Sequence, residues 1–409
     1  MAISDLSRRQ FLAVSGGLAV SPFLPGIAAA SGRDPRFLTG ILRGGVDGLA
    51  VVAPVGDPDY QNVREGLAFA RSGPNSGLPL DGFFALNPNM KQLAELYRNG
   101  EALFVHAVAT PYRERSHFDG QDVLESGLTR SGRGDSGWLN RALEIAAAKK
   151  TIDGRGFAMG AQLPLVMRGS APVLSWMPPG FATASADTRL RLLDIYTHAD
   201  PTLAAAIAEG MELDDLVGGE DSAREVMRQS REMGGGGKVR SYRMTGTVAG
   251  KVMSDADGPR VGAFSLNGWD THANERPFKG RLGRQLEALD ATIGALKSEM
   301  APVWKDTVVA LVTEFGRTAR MNGTSGTDHG TATLAILVGG AVNGGRVIAD
   351  WPGLSDRALY DGRDLAPTTD LRAILKGVIG DHLGVSEAAL GEKVFPGSRD
   401  VRPMRDLIA

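Results

Sequence analysis

The chain of 409 residues has no cysteine, so disulfides, thiolate metal ligands and cysteine nucleophiles are all excluded. Any metal must be held by imidazole, carboxylate or hydroxyl oxygen. An excess of one charge is also lacking: 45 Lys and Arg face 47 Asp and Glu, for a formal net charge of −2. No broad basic field therefore exists to hold nucleic acid. Past the first thirty residues, no apolar run approaches the roughly 18 residues that a spanning helix needs, which argues against a stable membrane span. What is abundant is glycine, 54 residues, clustered near strand ends. That distribution marks many tight turns around a site. With 43% hydrophobic and 22% charged residues, the chain is able to bury a sizeable core.

Residues 1–30 read as a targeting segment. Ser7-Arg8-Arg9-Gln10-Phe11-Leu12 precedes an apolar stretch that ends in Ala28-Ala29-Ala30, a small-residue cleavage pattern. It resembles a twin-arginine export signal. The resemblance implies transit through the twin-arginine translocation machinery in a folded state, a periplasmic or secreted destination, and a mature domain over 31–409.

Within that domain, Phe37–Leu42, Ala102–Val108, Val261–Leu266, Val308–Val312 and Leu334–Val338 are continuous apolar runs. They alternate with helical faces such as Met90, Leu93, Leu96, Tyr97 and the four-and-three spacing of Leu282, Leu286, Leu289, Ile293, Leu296 and Met300. Strands buried on both faces and separated by helices predict an α/β fold with a mostly parallel central sheet sandwiched between helices. Residues 182–237 break the alternation. They read as a helical insertion or cap that ends in four glycines, so 36–180 and 240–405 are expected to form one domain.

Four clusters follow or flank these strands, where open parallel sheets place their ligands. Asp47 lies in a glycine-rich turn, as a ligand or a turn former. Arg115-Ser116-His117 sits at a loop-to-helix junction. There Ser116 is either a helix cap or a nucleophile activated at a helix N-terminus, and Arg115 and His117 are candidate substrate contacts. Asp270 and His272 are two apart in a loop, a spacing that lets both turn toward one divalent ion. Glu314 comes directly off an interior strand and needs a metal or a cation, with Arg317 the protein's own candidate. Asp328-His329 precedes the next strand with a carboxylate and an imidazole. His106, His198 and His382 read as structural. There is no G-x-S-x-G elbow, P-loop or dinucleotide fingerprint, so an oxygen- and nitrogen-ligated divalent centre is the leading constellation.

Seven blocks in order, SRRQFL at 7–12, LRGGVDGL at 42–49, RSHFDGQD at 115–122, GWDTHANE at 268–275, TEFGRT at 313–318, GTDHG at 326–330 and PTTD at 367–370, resemble the bacterial domain of unknown function 1501 family of the alkaline phosphatase-like superfamily. The resemblance implies a two-metal site at strand C-terminal ends and a Ser or Thr nucleophile. By position, Asp47 is similar to the first-strand ligand and Ser116 to the nucleophile. Asp270 and His272 match one ligand pair, Glu314 a second-site carboxylate, and His329 the late histidine. Glu314-Phe315-Gly316 departs from an Asp-His-Gly triplet and lacks one imidazole; either Asp328 replaces that ligand or one metal position is empty. One or two ions of zinc, manganese or calcium and a small-molecule or polysaccharide ester substrate are implied. The two functional expectations are an exported phosphate- or sulfate-ester hydrolase and a non-catalytic relative that acts as a cell-envelope binding or assembly partner.

Overall fold

A computed structural model describes residues 33–409 apart from 71, 74, 133, 161, 177–185 and 218–235. The expected export signal lies outside the described residues. From Asp34 onward the chain forms one unit around a nine-stranded sheet. Its strands are β1 (Arg36–Arg43), β2 (Ala102–Ala109), β3 (Gly156–Met159), β4 (Val173–Trp176), β5 (Val261–Asn267), β6 (Thr307–Val312), β7 (Thr333–Val338), β8 (Arg346–Ile348) and β9 (Thr369–Asp370). The order across the sheet is β8-β2-β7-β6-β1-β5-β3-β4, with β9 extending beside the end of β2. Every pairing is parallel except those of β7, which runs antiparallel to both β2 and β6.

Period-2 alternation along these mostly apolar strands divides the core into two layers. Leu38 and Leu42 of β1, Phe264 and Leu266 of β5, and Val309 and Leu311 of β6 face one layer. It is covered by helices α1 (Lys91–Arg98), α6 (Gly237–Ser254) and α7 (Arg281–Glu299). Phe37 and Ile41, Val261 and Ala263, and Val308, Ala310 and Val312 face the other. That side carries α2 (His117–Ser126), α3 (Trp138–Ala148) and α8 (Leu371–Leu383). The fold is thus the expected mixed α/β sandwich with a largely parallel sheet.

Over its described residues, the stretch expected as an insertion contains two helices, α4 (Ala186–Ala199) and α5 (Pro201–Val217). They leave Leu190 and Ile195 exposed. Gly237, expected as the last linker residue, instead opens α6. Among the described residues, no helix is long and apolar enough to cross a membrane.

Strand direction decides what meets at the sheet edge. β1, β2, β5 and β6 run the same way, so the loops after them emerge together. Because β7 is reversed, the loop that precedes it, 326–330, arrives at that same edge.

Candidate metal centre

The centre is assembled from the edge inward. At the end of β1, Gly44 has φ +124°, and a Cβ there would stand 2.5 Å from the backbone nitrogen of Asp270. Only glycine tolerates both the angle and the approach. The loop after β5 is fixed on this floor: Trp269 is fully buried, its indole donates to the Leu266 carbonyl at 3.0 Å, and its backbone N–H donates to the Arg43 carbonyl at 3.3 Å. Asp270 follows this anchor with little freedom.

Three imidazoles and a guanidinium surround the Asp270 carboxylate. Its Oδ1 accepts from Arg317 Nη1 at 2.6 Å and lies 3.0 Å from His272 Nε2 and 3.4 Å from His329 Nε2. Its Oδ2 is 3.5 Å from His117 Nε2. One ligand atom each from His117, Asp270 and His329 fall within 4.8 Å of one another. Burial works against the Asp270 charge, but the Arg317 guanidinium outweighs it and holds the carboxyl below its ordinary range.

What orients the imidazoles lies behind them. His117 Nδ1 donates to Glu314 Oε1 at 2.8 Å, and His329 Nδ1 donates to the Arg115 carbonyl at 2.8 Å. A carboxylate and a carbonyl only accept, so both Nδ1 atoms carry hydrogen and both Nε2 atoms point toward Asp270. His117 Nε2 is buried without a hydrogen-bond partner. The ring of Phe315, expected to mark a missing imidazole, stacks on His117 with centroids 4.9 Å apart. His272 stands at the outer side, its Nδ1 3.1 Å from Asp328 Oδ1 and its Nε2 2.9 Å from His329 Nε2. The Asn322 amide and His272 keep the Asp328 carboxyl low despite some burial.

Glu314 is fully buried, and its counter-charge is not Arg317. It accepts from Gly44 N at 2.9 Å, His117 Nδ1, Gln121 Nε2 at 3.0 Å and Thr313 Oγ1 at 2.9 Å. Burial pushes its pKa up, and the His117 and Gln121 hydrogen bonds lead the opposing set that brings it below the ordinary carboxylate value. Arg317 turns instead to Asp270 and to Thr327, whose Oγ1 accepts from its Nε at 3.1 Å.

Ser116 is the N-cap residue of α2, but its hydroxyl makes no capping bond. It stands between Arg115, whose carbonyl holds His329, and His117. The Arg115 guanidinium is engaged by Asp364 Oδ2 and Asp361 Oδ2, each at 2.9 Å. Asp47 is not brought into the group: 1% exposed, it forms a short ion pair with the fully buried Arg64.

The sequence carried no signal for Arg64, and Thr327, although inside the 326–330 block, had no role assigned to it. Gln121 was findable, since it follows His117 by one helical turn on the same face of α2. His106 is structural, as expected. Its Nε2 donates to the Val52 carbonyl at 2.9 Å and its Nδ1 accepts from Ala107 N at 2.8 Å. His382 Nε2 donates to the Arg36 carbonyl at 3.0 Å.

A largely parallel α/β sheet with histidines and a carboxylate converging at one edge defines the class as an α/β protein with a His/Asp group that could hold a metal ion. Residues 102–394 match the family described as protein of unknown function (DUF1501), and the chain belongs to that family. No curated protein matches it. Among solved structures, it is similar to the zinc complex of the C-terminal periplasmic domain of EcEptC from Escherichia coli, at 9% identity and TM-score 0.34, over 76% of this chain and 74% of that one. Alkaline phosphatase from the Antarctic bacterium TAB5 aligns at 12% identity and TM-score 0.33, over 78% and 95%. The lipoteichoic acid synthase LtaP from Listeria monocytogenes aligns at 8% and 0.37, over 88% and 75%. Likenesses this distant carry no argument about the chemistry of this chain.

Proposed function

We propose that the protein is an exported metal-dependent hydrolase of phosphate or sulfate esters, with Ser116 as nucleophile. The observation that carries the metal is the buried His117 Nε2, which has no hydrogen-bond partner and lies 3.5 Å from Asp270 Oδ2, toward which His329 Nε2 is also aimed. Two imidazoles whose outer nitrogens are tied to a carboxylate and a backbone carbonyl match the way proteins orient metal-ligating histidines. His117, Asp270 and His329 would hold the ion, with His272 beside them. A donor set this rich in imidazole favours zinc over manganese and calcium, which prefer oxygen.

A divalent ion held there supplies Lewis acidity to the reacting oxygens. The chain's own residues do the rest. Ser116 Oγ, free of a capping bond, attacks the phosphorus or sulfur and forms a covalent ester while the alcohol departs, and water then releases the acid. The first-turn N–H groups of α2 favour the anionic group beside Ser116. Arg317 keeps Asp270 ionised. The Arg8-Arg9 segment directs export by the twin-arginine machinery, and the substrate is a small-molecule or polysaccharide ester.

A non-catalytic envelope partner is the second reading. It is favoured by the saturation of Asp47 and Glu314 with protein donors, as a purely structural cluster would show. The orphaned His117 Nε2 is what such a scaffold does not need.

The deciding experiment measures metal content and turnover of aryl phosphates and sulfates for the purified protein and Ser116→Ala. Loss of turnover with metal retained supports the hydrolase. Unchanged turnover removes Ser116 from the mechanism, and absence of bound metal removes the centre.

A further inference from the structure

The resemblance implies two ions, and the side chains offered for the second are already committed. Asp47, the expected first-strand ligand, pairs through Oδ2 with Arg64 Nη2. Arg64 is 0% exposed, and its Nη1 donates to the carbonyls of Ala319 at 3.1 Å and Thr318 at 3.4 Å. Glu314, the expected second-site carboxylate, has four donors from the protein.

Behind Asp47 lies a second buried carboxyl, Glu275, whose Oε2 accepts from Thr327 Oγ1 at 2.6 Å. Burial and the adjoining Asp47 push the Glu275 pKa well up. Its Oε1 is buried with no hydrogen-bond partner. Burial opposes the Arg64 charge, yet Asp47 and Glu275 outweigh it and raise its pKa. Asp47 and Glu275 thus already face a buried cation, the fully enclosed Arg64 guanidinium. A divalent ion added to them would have to displace the arginine.

We infer that Arg64 takes the place of a second cation beside Asp47, so that the chain holds a single divalent ion, bound by His117, Asp270 and His329. A guanidinium is charged at every physiological pH and cannot exchange with solvent ions. The inference rests on the proposed metal centre only for that remaining ion. The position beside Asp47 belongs to Arg64 whether or not the histidines bind metal.

The test counts ions per chain by elemental analysis after equilibration with excess zinc or manganese and desalting, for the wild type, Asp47→Asn and Arg64→Ala. The expected result is one ion in the wild type and one in Asp47→Asn. For Arg64→Ala, which uncovers two carboxyls, the expectation is one additional ion and a thermal midpoint that manganese raises more than in the wild type. Two ions in the wild type overturn the inference, even if both variants fail to fold. Loss of an ion from a folded Asp47→Asn, shown by an unchanged circular dichroism spectrum, overturns it as well. No ion in either the wild type or Asp47→Asn removes the metal centre proposed above but upholds the assignment of Arg64 to Asp47.

Discussion

His117 Nδ1 donates to Glu314 Oε1 at 2.8 Å, joining the N-terminus of α2 to the loop after β6. This contact fixes the tautomer of His117, and with it the direction of the nitrogen that faces Asp270. Glu314 is thus a positioning residue, and its replacement separates orientation from ligation. Glu314→Ala removes the acceptor opposite His117. Metal affinity is expected to fall about 10–100-fold, read by zinc titration against a chromophoric chelator. An affinity unchanged within about twofold would show that His117 needs no such support.

Asp270→Ala and His329→Ala are both expected to abolish tight metal binding and turnover, but they differ in stability. Removing Asp270 leaves the fully buried Arg317 with only neutral partners, which costs about 3 kcal/mol. Removing His329, a partly buried neutral ring, costs about 1 kcal/mol. Chemical denaturation of the metal-free proteins checks the order. Equal losses would mean that Arg317 does not depend on Asp270.

Arg115→Ala tests a side chain that sequence reasoning placed in catalysis. Its guanidinium is held by Asp361 and by the fully buried Asp364, whereas it reaches the centre only through its backbone carbonyl. Stability is expected to drop by about 2 kcal/mol as Asp364 loses the nearer of its two cations, with Arg363 left 3.6 Å from its Oδ1. The turnover number of the folded variant should change by less than about tenfold, under 1.4 kcal/mol of barrier. A larger loss of turnover would return the guanidinium to the reaction.

His106 supplies a pH dependence whose sign is fixed by geometry. Ala107 has φ +55° and is skipped in the pairing of β2 with β7, between the Val108–Thr333 and His106–Leu334 partners. Its N–H therefore turns to His106 Nδ1, and protonation of that nitrogen would set a hydrogen against it. Burial pulls the His106 pKa down from 6.5 to about 4. The unfolded chain then takes up the proton first. The stabilising contribution is complete above about pH 6.5 and is lost as pH falls toward 4. Unfolding free energies at pH 7 and 4.5 should differ by about 2 kcal/mol less in His106→Gln than in the wild type. Identical differences would refute the assignment.

The sequence made the strands legible because each is apolar on both faces, and Phe37–Leu42 or Val308–Val312 admits no amphipathic alternative. It did not show that β7 is reversed, since an apolar run such as Leu334–Val338 reads the same in either direction. Asp270, His329 and Glu314 were visible as polar residues at strand ends. Their partners were not, because a counter-ion is chosen by tertiary packing. Arg64 lies seventeen positions after Asp47 in a segment without a motif, and Arg317 reaches past its neighbour Glu314 to a loop that follows a different strand. His117 was legible as a polar group in the loop but read as a substrate contact. Only its bond to Glu314 shows that its other nitrogen faces Asp270.

The position of β1 has a consequence for how the molecule is made. Its two partners are β5 and β6, so during synthesis the central strand waits, apolar on both sides, until more than half of the chain has followed it. The edge that carries His117 stays open until the 268–275, 313–317 and 326–330 loops have also emerged. Pairing over such sequence distances is slow, which leaves β1 dependent on protection from aggregation while the chain grows. An ion that needs His117, Asp270 and His329 together would find its site only in a nearly finished chain, so metal uptake would report completion of the fold.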